Sequence, residues 1–232
     1  MGLPAEKPRP ATYADLEAVP SHKVAEILSG VLHVFPRPAP RHAWTTSTLS
    51  GELTGPFNKG RGGPGGWRIM YEPELHLGPE GEEDVLVPDM AGWRLERMPR
   101  LPATAYFDLA PDWVCEVLSP STERVDRTEK MPIYAREGVR YAWLIHPFNR
   151  ILEVYRRGSS GVWELLGAHA GEAIVRAEPF DAIELELSGL WAEVQGNAPE
   201  EGEAPVRPRK LQVTRPGALR GAPPKKARSR KT

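Results

Sequence analysis

Residues 111–122 read PDWVCEVLSPST, and the stretch 113–118, WVCEVL, is apolar at every position except Glu116. A run that short, flanked by Pro111-Asp112 on one side and by Ser119-Pro120-Ser121-Thr122 on the other, predicts a central strand buried on both faces. Glu116 is the one charge inside it. A buried carboxylate costs several kcal/mol, on the order of 3–5 when unpaired, so it needs a partner. That partner is either a nearby Lys or Arg or a divalent cation. The single cysteine, Cys115, shares this strand and reads as a small buried hydrophobe. One cysteine excludes both an internal disulfide framework and a cysteine zinc site.

Working outward, the preceding segment DVLVPDMAGW (84–93) is a second β-branched run, interrupted by Pro88 and followed at once by Asp89. Proline removes a ladder donor and marks a strand end. Taken alone Asp89 reads as an ordinary turn residue, but two neighbouring strands, each delivering one carboxylate near its end, are a way to place Asp89 and Glu116 around one cation. Mg²⁺ takes one or two protein carboxylates and completes its shell with water and phosphate oxygens. Downstream, ERVDRTEKMPIYAREGV (123–139) predicts a helix closed by Gly138, with a kink or restart at Pro132. Asp126, Lys130 and Tyr134 fall four residues apart on one face of it. Such a lysine either leans toward the two carboxylates or forms a solvated pair with Asp126.

The rest of the chain predicts alternating elements. A short helix over Tyr13–Ala18 is capped by Thr12, and KVAEILSGVLHVFP (23–36) forms two strands about a Ser29-Gly30 turn. Thr45, Leu49 and Leu53 mark an amphipathic helix ended by Gly55-Pro56, and NKGRGGPGG (58–66) is a loop. WRIMYEPELHL (67–77) reads as one strand, YAWLIHP and ILEVYRR as a pair joined by a turn, and residues 162–191 as further β structure. Residues 1–11 are Pro-rich and expected to be flexible, residues 12–195 form one domain, and residues 196–232 form a basic Pro/Gly-rich tail expected to lack a fold.

The net charge of −1 conceals an asymmetry: residues 197–232 carry ten Lys/Arg and three acids, +7, leaving −8 on residues 1–196. An acidic body with a basic arm suggests two jobs, gathering cations in one place and touching a polyanion in another. The arm reads otherwise as a solubilising segment. No segment approaches the ~18 apolar residues of a membrane span. The absence of a secretory h-region near the start of the sequence leads to the expectation of a reducing cytoplasm.

VPDM (87–90), PDWVCEVLSPST (111–122), RVDRTEKMPIYAREGVRYAWLIHP (124–147) and LEVYR (152–156) together resemble the Uma2 family (DUF820), of the PD-(D/E)xK nuclease superfamily. The resemblance runs from about Tyr13 to about Trp191. It implies an α/β, restriction-endonuclease-like core, a mixed central β-sheet flanked by helices. It also implies a Mg²⁺- or Mn²⁺-dependent endonuclease acting on DNA, in a family of enzymes that commonly pair as homodimers. By the same resemblance Asp89 and Glu116 match the metal-site acids, the backbone carbonyl of Val117 adds a ligand, and Lys130 matches a lysine supplied by the following helix. The superfamily's usual lysine position, two residues after the glutamate, is Leu118 here. Glu26 and Glu72 are similar to further acidic family positions, as metal or water ligands or as ion-pair partners. His42 matches a common family histidine, or is a helix-start residue bonded locally. His146 stands where the family often has an aspartate, and reads as a structural residue or a base. Two rivals stand beside the nuclease: a non-cleaving nucleic-acid-binding or assembly protein with the same fold, and a carboxylate-pair glycosidase. The second is disfavoured, because the seven tryptophans do not cluster in sequence as a sugar platform.

Overall fold

The computed structural model describes residues 9–191. The strands are β1 (Val24–Leu28), β2 (Val31–Phe35), β3 (Trp67–Tyr71), β4 (Leu75–Leu77), β5 (Asp84–Leu86), β6 (Met90–Arg94), β7 (Trp113–Val117), β8 (Tyr141–His146), β9 (Ile151–Arg157), β10 (Trp163–Ala170), β11 (Ile174–Val175) and β12 (Leu185–Glu186). The helices are α1 (Tyr13–Glu17), α2 (Pro40–Leu53), α3 (Glu123–Val125) and α4 (Met131–Arg136). A six-stranded sheet runs β10-β9-β8-β7-β6-β3, a four-stranded sheet runs β2-β1-β5-β4, and β11 pairs with β12.

β7 is interior, as its unbroken apolar run requires. It lies antiparallel to β6, with Met90 opposite Cys115, and parallel to β8, with Glu116 opposite Leu144. All five of its residues are buried. Alternation along the strand divides the core. Trp113, Cys115 and Val117 pack with Leu49 and Leu53 of α2 and with Phe57 and Phe180. Val114 and Leu118 turn the other way, toward Tyr134 and Ile133 of α4 and toward Leu28, Leu75 and Leu86 of the smaller sheet. Glu116 shares that second face by the same alternation, which is why its partners come from α4.

Two expected single strands are each split. WRIMYEPELHL divides at Glu72-Pro73 into β3 and β4, and DVLVPDMAGW divides at Val87-Pro88-Asp89 into β5 and β6, with the halves in different sheets. Glu72 takes a positive φ of 42° beside a proline that has no N–H, so the ladder cannot continue through it. Gly55-Pro56 does not end the helical path either. A π-helical turn, Thr54–Asn58, carries it on and buries Phe57. The 123–136 stretch bends as Pro132 requires: a π-helical turn over Asp126–Lys130 leads into α4, leaving Lys130 at the junction. Residues 9–11 are tied down, since Arg9 pairs with Asp15 at 2.7 Å and Ala11 N–H donates to the Gly30 carbonyl at 2.8 Å. The remainder of the expected flexible N-terminus and the basic tail lie outside the described residues. Among those described, no helix is long and apolar enough to cross a membrane.

Candidate active site

The site forms where β6 begins and β7 ends. Continuing the β6–β7 register past Met90–Cys115 brings Asp89 opposite Glu116 and Pro88 opposite Val117. Pro88 has no N–H to give the Val117 carbonyl. The Val117 N–H turns instead to the Asp89 carboxylate, donating to Oδ2 at 2.7 Å. Because the N–H and C=O of a strand residue leave by the same edge, the Val117 carbonyl faces the same side as Asp89. His42, in the first turn of α2, brings Nε2 to 3.1 Å from Asp89 Oδ2. Burial opposes the charged imidazolium of His42, yet the hydrogen bond and charge of Asp89 outweigh it and raise its pKa. His42 is therefore more than a locally bonded helix-start residue.

Behind this pair lies a buried ionic cluster. The Lys130 ammonium is 3.0 Å from Glu26 Oε1, 3.2 Å from Glu116 Oε2 and 3.2 Å from Asp126 Oδ1. Lys130 is 4% exposed, Glu116 2%, and Glu26 and Asp126 1% each. The Asp126 contact is an ion pair without hydrogen-bond alignment, because Oδ1 of Asp126 lacks a hydrogen-bonded partner. The Tyr134 hydroxyl donates to Glu116 Oε1 at 2.6 Å, and the Val87 N–H donates to Glu26 Oε1 at 2.7 Å. Burial drives the Glu116 pKa well above the usual carboxylate range even against the pull of Lys130, and it raises Glu26 and Asp126 likewise. For Lys130 burial acts the other way, but Glu116, Glu26 and Asp126 prevail and hold the ammonium charged.

Glu26, His42, Asp89, Glu116, Asp126 and Lys130 line a cavity of about 290 Å³ that also takes in Glu72, Arg37 and the Ser119–Thr122 loop. Tyr134 and Val117 lie outside its lining. Its walls bring five carboxylates (Glu26, Glu72, Asp89, Glu116 and Asp126) against one lysine and one arginine, beside His42. The Glu72 N–H donates to the Asp89 carbonyl at 3.1 Å, and its carboxylate accepts from the Tyr71 hydroxyl at 3.0 Å. Among the described residues no group of three or more His, Cys, Asp or Glu side chains is disposed to hold a metal ion unaided. A cation here has two carboxylates and a backbone carbonyl to call on, hard oxygen donors of the number Mg²⁺ accepts when water completes the shell. In chemistry the donors suit such an ion, while both Glu116 oxygens are bonded to Tyr134 and Lys130.

All five acidic or basic side chains expected from the sequence, Asp89, Glu116, Lys130, Glu26 and Glu72, therefore line one cavity. His146 does not line it: Nδ1 accepts the Asn149 N–H at 3.1 Å across the β8–β9 turn, and Nε2 lies 3.6 Å from Glu123. Tyr134 and Arg37 were not expected in the site. The four-residue stripe containing Tyr134 was the available signal, whereas nothing local marks Arg37. Cys115 is fully buried, with burial pushing its thiol pKa up.

A mixed sheet whose adjacent strands deliver paired carboxylates, backed by a lysine from the next helix, defines a nuclease-like α/β fold. The chain belongs to the Uma2 family, described as "Putative restriction endonuclease", which residues 10–188 match. It is also similar to the crystal structure of "a putative nuclease belonging to DUF820" from Anabaena variabilis ATCC 29413. The identity is 23% over 78% of this chain and 98% of that one, with a TM-score of 0.62, a likeness of fold. No curated protein matches the chain.

Proposed function

We propose that this chain is a Mg²⁺- or Mn²⁺-dependent endonuclease that hydrolyses DNA phosphodiester bonds in a reducing cytoplasm. The observation that carries the reading is the cross-strand pair: Asp89 and Glu116 stand opposite one another, with the Val117 carbonyl beside them and Pro88 leaving that carbonyl without its ladder donor. Asp89, Glu116 and the Val117 carbonyl would hold the cation. Such an ion supplies Lewis-acid polarisation of a phosphoryl oxygen and acidifies water. Within the chain, His42 and the Val117 N–H orient the Asp89 carboxylate. Tyr134 and Lys130 hold Glu116, and the ammonium adds positive charge behind the phosphate as charge develops in the transition state. Glu26 fixes Lys130 from the far side, and Glu72 at the mouth is suited to orienting water. A homodimer would bring two such sites to a duplex.

One observation favours the rival non-cleaving binding protein: both Glu116 oxygens already have partners in Tyr134 and Lys130. Cleavage of supercoiled and single-stranded DNA with Mg²⁺, Mn²⁺ or EDTA separates the two readings, run beside Mn²⁺ calorimetry. The nuclease reading expects metal-dependent cutting that Asp89→Ala and Glu116→Ala each reduce by two or more orders of magnitude. An intact wild type that neither cuts nor binds Mn²⁺ sinks it.

A further inference from the structure

At one end of the six-stranded sheet the strands follow in the order β3, β6, β7, β8. Tyr71 closes β3 opposite Met90, Asp89 leads into β6, Glu116 and Val117 end β7, and Phe148 lies two residues beyond the end of β8. The strands that carry or lead to Tyr71 and Phe148 thus stand on either side of β6 and β7, about 14 Å apart at ~4.8 Å per strand spacing. Both are unusually open for large apolar side chains, Tyr71 at 53% and Phe148 at 48%. The Arg41 guanidinium lies over the Phe148 ring, 5.4 Å from its centroid, one residue from His42 at the cavity. Tyr71 bonds through its hydroxyl to Glu72 of the cavity wall and feels the charges of Asp89 and Arg37.

The carboxylates themselves are recessed. The Glu116 side chain is 3% exposed and that of Asp89 14%, so a phosphate must enter the cavity to meet them. An unpaired strand bends inward at little cost. A strand held in a duplex must first be distorted or have a nucleotide drawn out of the stack. Aromatic faces grip unpaired strands by stacking whatever their sequence, because every base has a π-face.

We infer that Tyr71 and the Phe148–Arg41 pair form a two-point stacking platform that selects an unpaired polynucleotide strand and lowers one of its phosphates into the acidic cavity. The inference rests on the nuclease reading only for the identity of the cavity. Bases pack on the two rings, and Arg41 and Arg37 neutralise the backbone on either side of the mouth.

The test is binding, read by fluorescence anisotropy on the full chain with a labelled 12-mer single strand, its blunt duplex and the RNA strand of the same sequence. It is run in EDTA and again with Ca²⁺. Every variant shares the basic residues beyond 196, so their contribution cancels. The single strand should bind at least tenfold more tightly than the duplex. Tyr71→Ala and Phe148→Ala should each lose roughly five- to fiftyfold for the single strand, with duplex affinity changed less than twofold. Tyr71→Phe and Phe148→Trp, which keep the stacking faces, should retain wild-type affinity. Equal affinity for the paired and unpaired forms, or alanine variants that bind like wild type, overturns the platform. DNA and RNA strands bound alike place recognition in the rings, and a preference for one names the substrate within the proposal. Selective binding without any metal-dependent cutting would leave the platform standing and remove the nuclease reading.

Discussion

Replacing Lys130 with methionine removes one ammonium from the middle of three buried carboxylates, at 3.0, 3.2 and 3.2 Å, while keeping most of the side chain's volume. At an effective dielectric near 20, each such contact is worth about 4–6 kcal/mol of attraction, offset by the cost of taking the charges out of water. Breaking a buried pair by removing one partner typically costs about 3–5 kcal/mol, because the charge left behind is uncompensated. For a domain of this size that corresponds to a fall in Tm of roughly 6–20 °C. The loss should depend on pH. Burial raises the folded-state pKa of Glu26, Glu116 and Asp126 above their unfolded values. A group shifted that way stabilises the fold at low pH and loses the contribution as pH rises. Without Lys130 the shifts grow, so the deficit of Lys130→Met should be larger at pH 8 than at pH 5. Urea unfolding at both pH values in EDTA measures it, and adding Glu116→Gln to the variant should recover part of the loss, since the two sites are in contact. A Tm within about 2 °C of wild type at pH 8 would refute the view that this ammonium holds the cluster together.

Pro88→Ala gives residue 88 an N–H opposite the Val117 carbonyl. Mn²⁺ affinity measured by calorimetry should fall while urea stability stays within about 1 kcal/mol of wild type. Tyr134→Phe removes the 2.6 Å hydrogen bond to Glu116 and should cost roughly 1.5–3 kcal/mol, read by chemical denaturation. Gly92→Ala sets a methyl 3.2 Å from Trp113 and 3.3 Å from Trp67, ring carbons packed in the core. Its expected cost of about 1–3 kcal/mol would show as a lower urea midpoint. The hydrogen bond to Glu74 raises Tyr13 to about 12, so absorbance at 295 nm should show it titrating late and Glu74→Gln should bring it back toward 10. Its folded pKa being raised, the contact stabilises α1 below the unfolded value and is lost as pH climbs through 12.

Three residues that line the candidate cavity stood out in the sequence because each breaks a local rule. Glu116 is a charge in an apolar strand, Asp89 follows a proline that ends one, and Lys130 sits four residues from an acid on a helix bearing a proline. What was not legible was long-range. The segments 67–77 and 84–93 look continuous by periodicity, but β5 pairs with β1 and β4 while β6 pairs with β3 and β7. Which sheet a half-strand joins depends on partners elsewhere in the chain, as distant as β1 is from β5, about which its own alternation is silent. The prolines at 73 and 88 mark the breaks without saying where the chain goes next. Asp126 illustrates the same gap: the spacing to Lys130 is visible, yet an i,i+4 pair reads the same on a wet surface as in a core. Only the smaller sheet, by bringing Glu26 to the far side of Lys130, turns that pair into part of a buried cluster.

The placement of Lys130 bears on what the cavity requires of its substrate. Three of its five carboxylates share that one ammonium, while Asp89 has the His42 imidazole and the Val117 N–H beside it and Glu72 the Tyr71 hydroxyl. A phosphodiester entering to within ~5 Å of Asp89 meets a repulsion on the order of 3 kcal/mol at an effective dielectric near 20. Arg37 is the one exposed cation on the cavity wall to set against it. Among the lysines and arginines of the described cavity wall, Lys130 keeps the buried acids paired and Arg37 is exposed. Neither neutralises the floor. Under the proposed function, an external divalent cation beside Asp89 and Glu116 would do so directly and would couple phosphate entry to metal loading. Binding at the rim should consequently persist in EDTA, while occupancy of the floor, read as protection of Asp89 from carbodiimide modification by a bound strand, should need the metal. Equal protection with and without Mn²⁺ would mean that the cavity accepts phosphate by some route other than charge neutralisation.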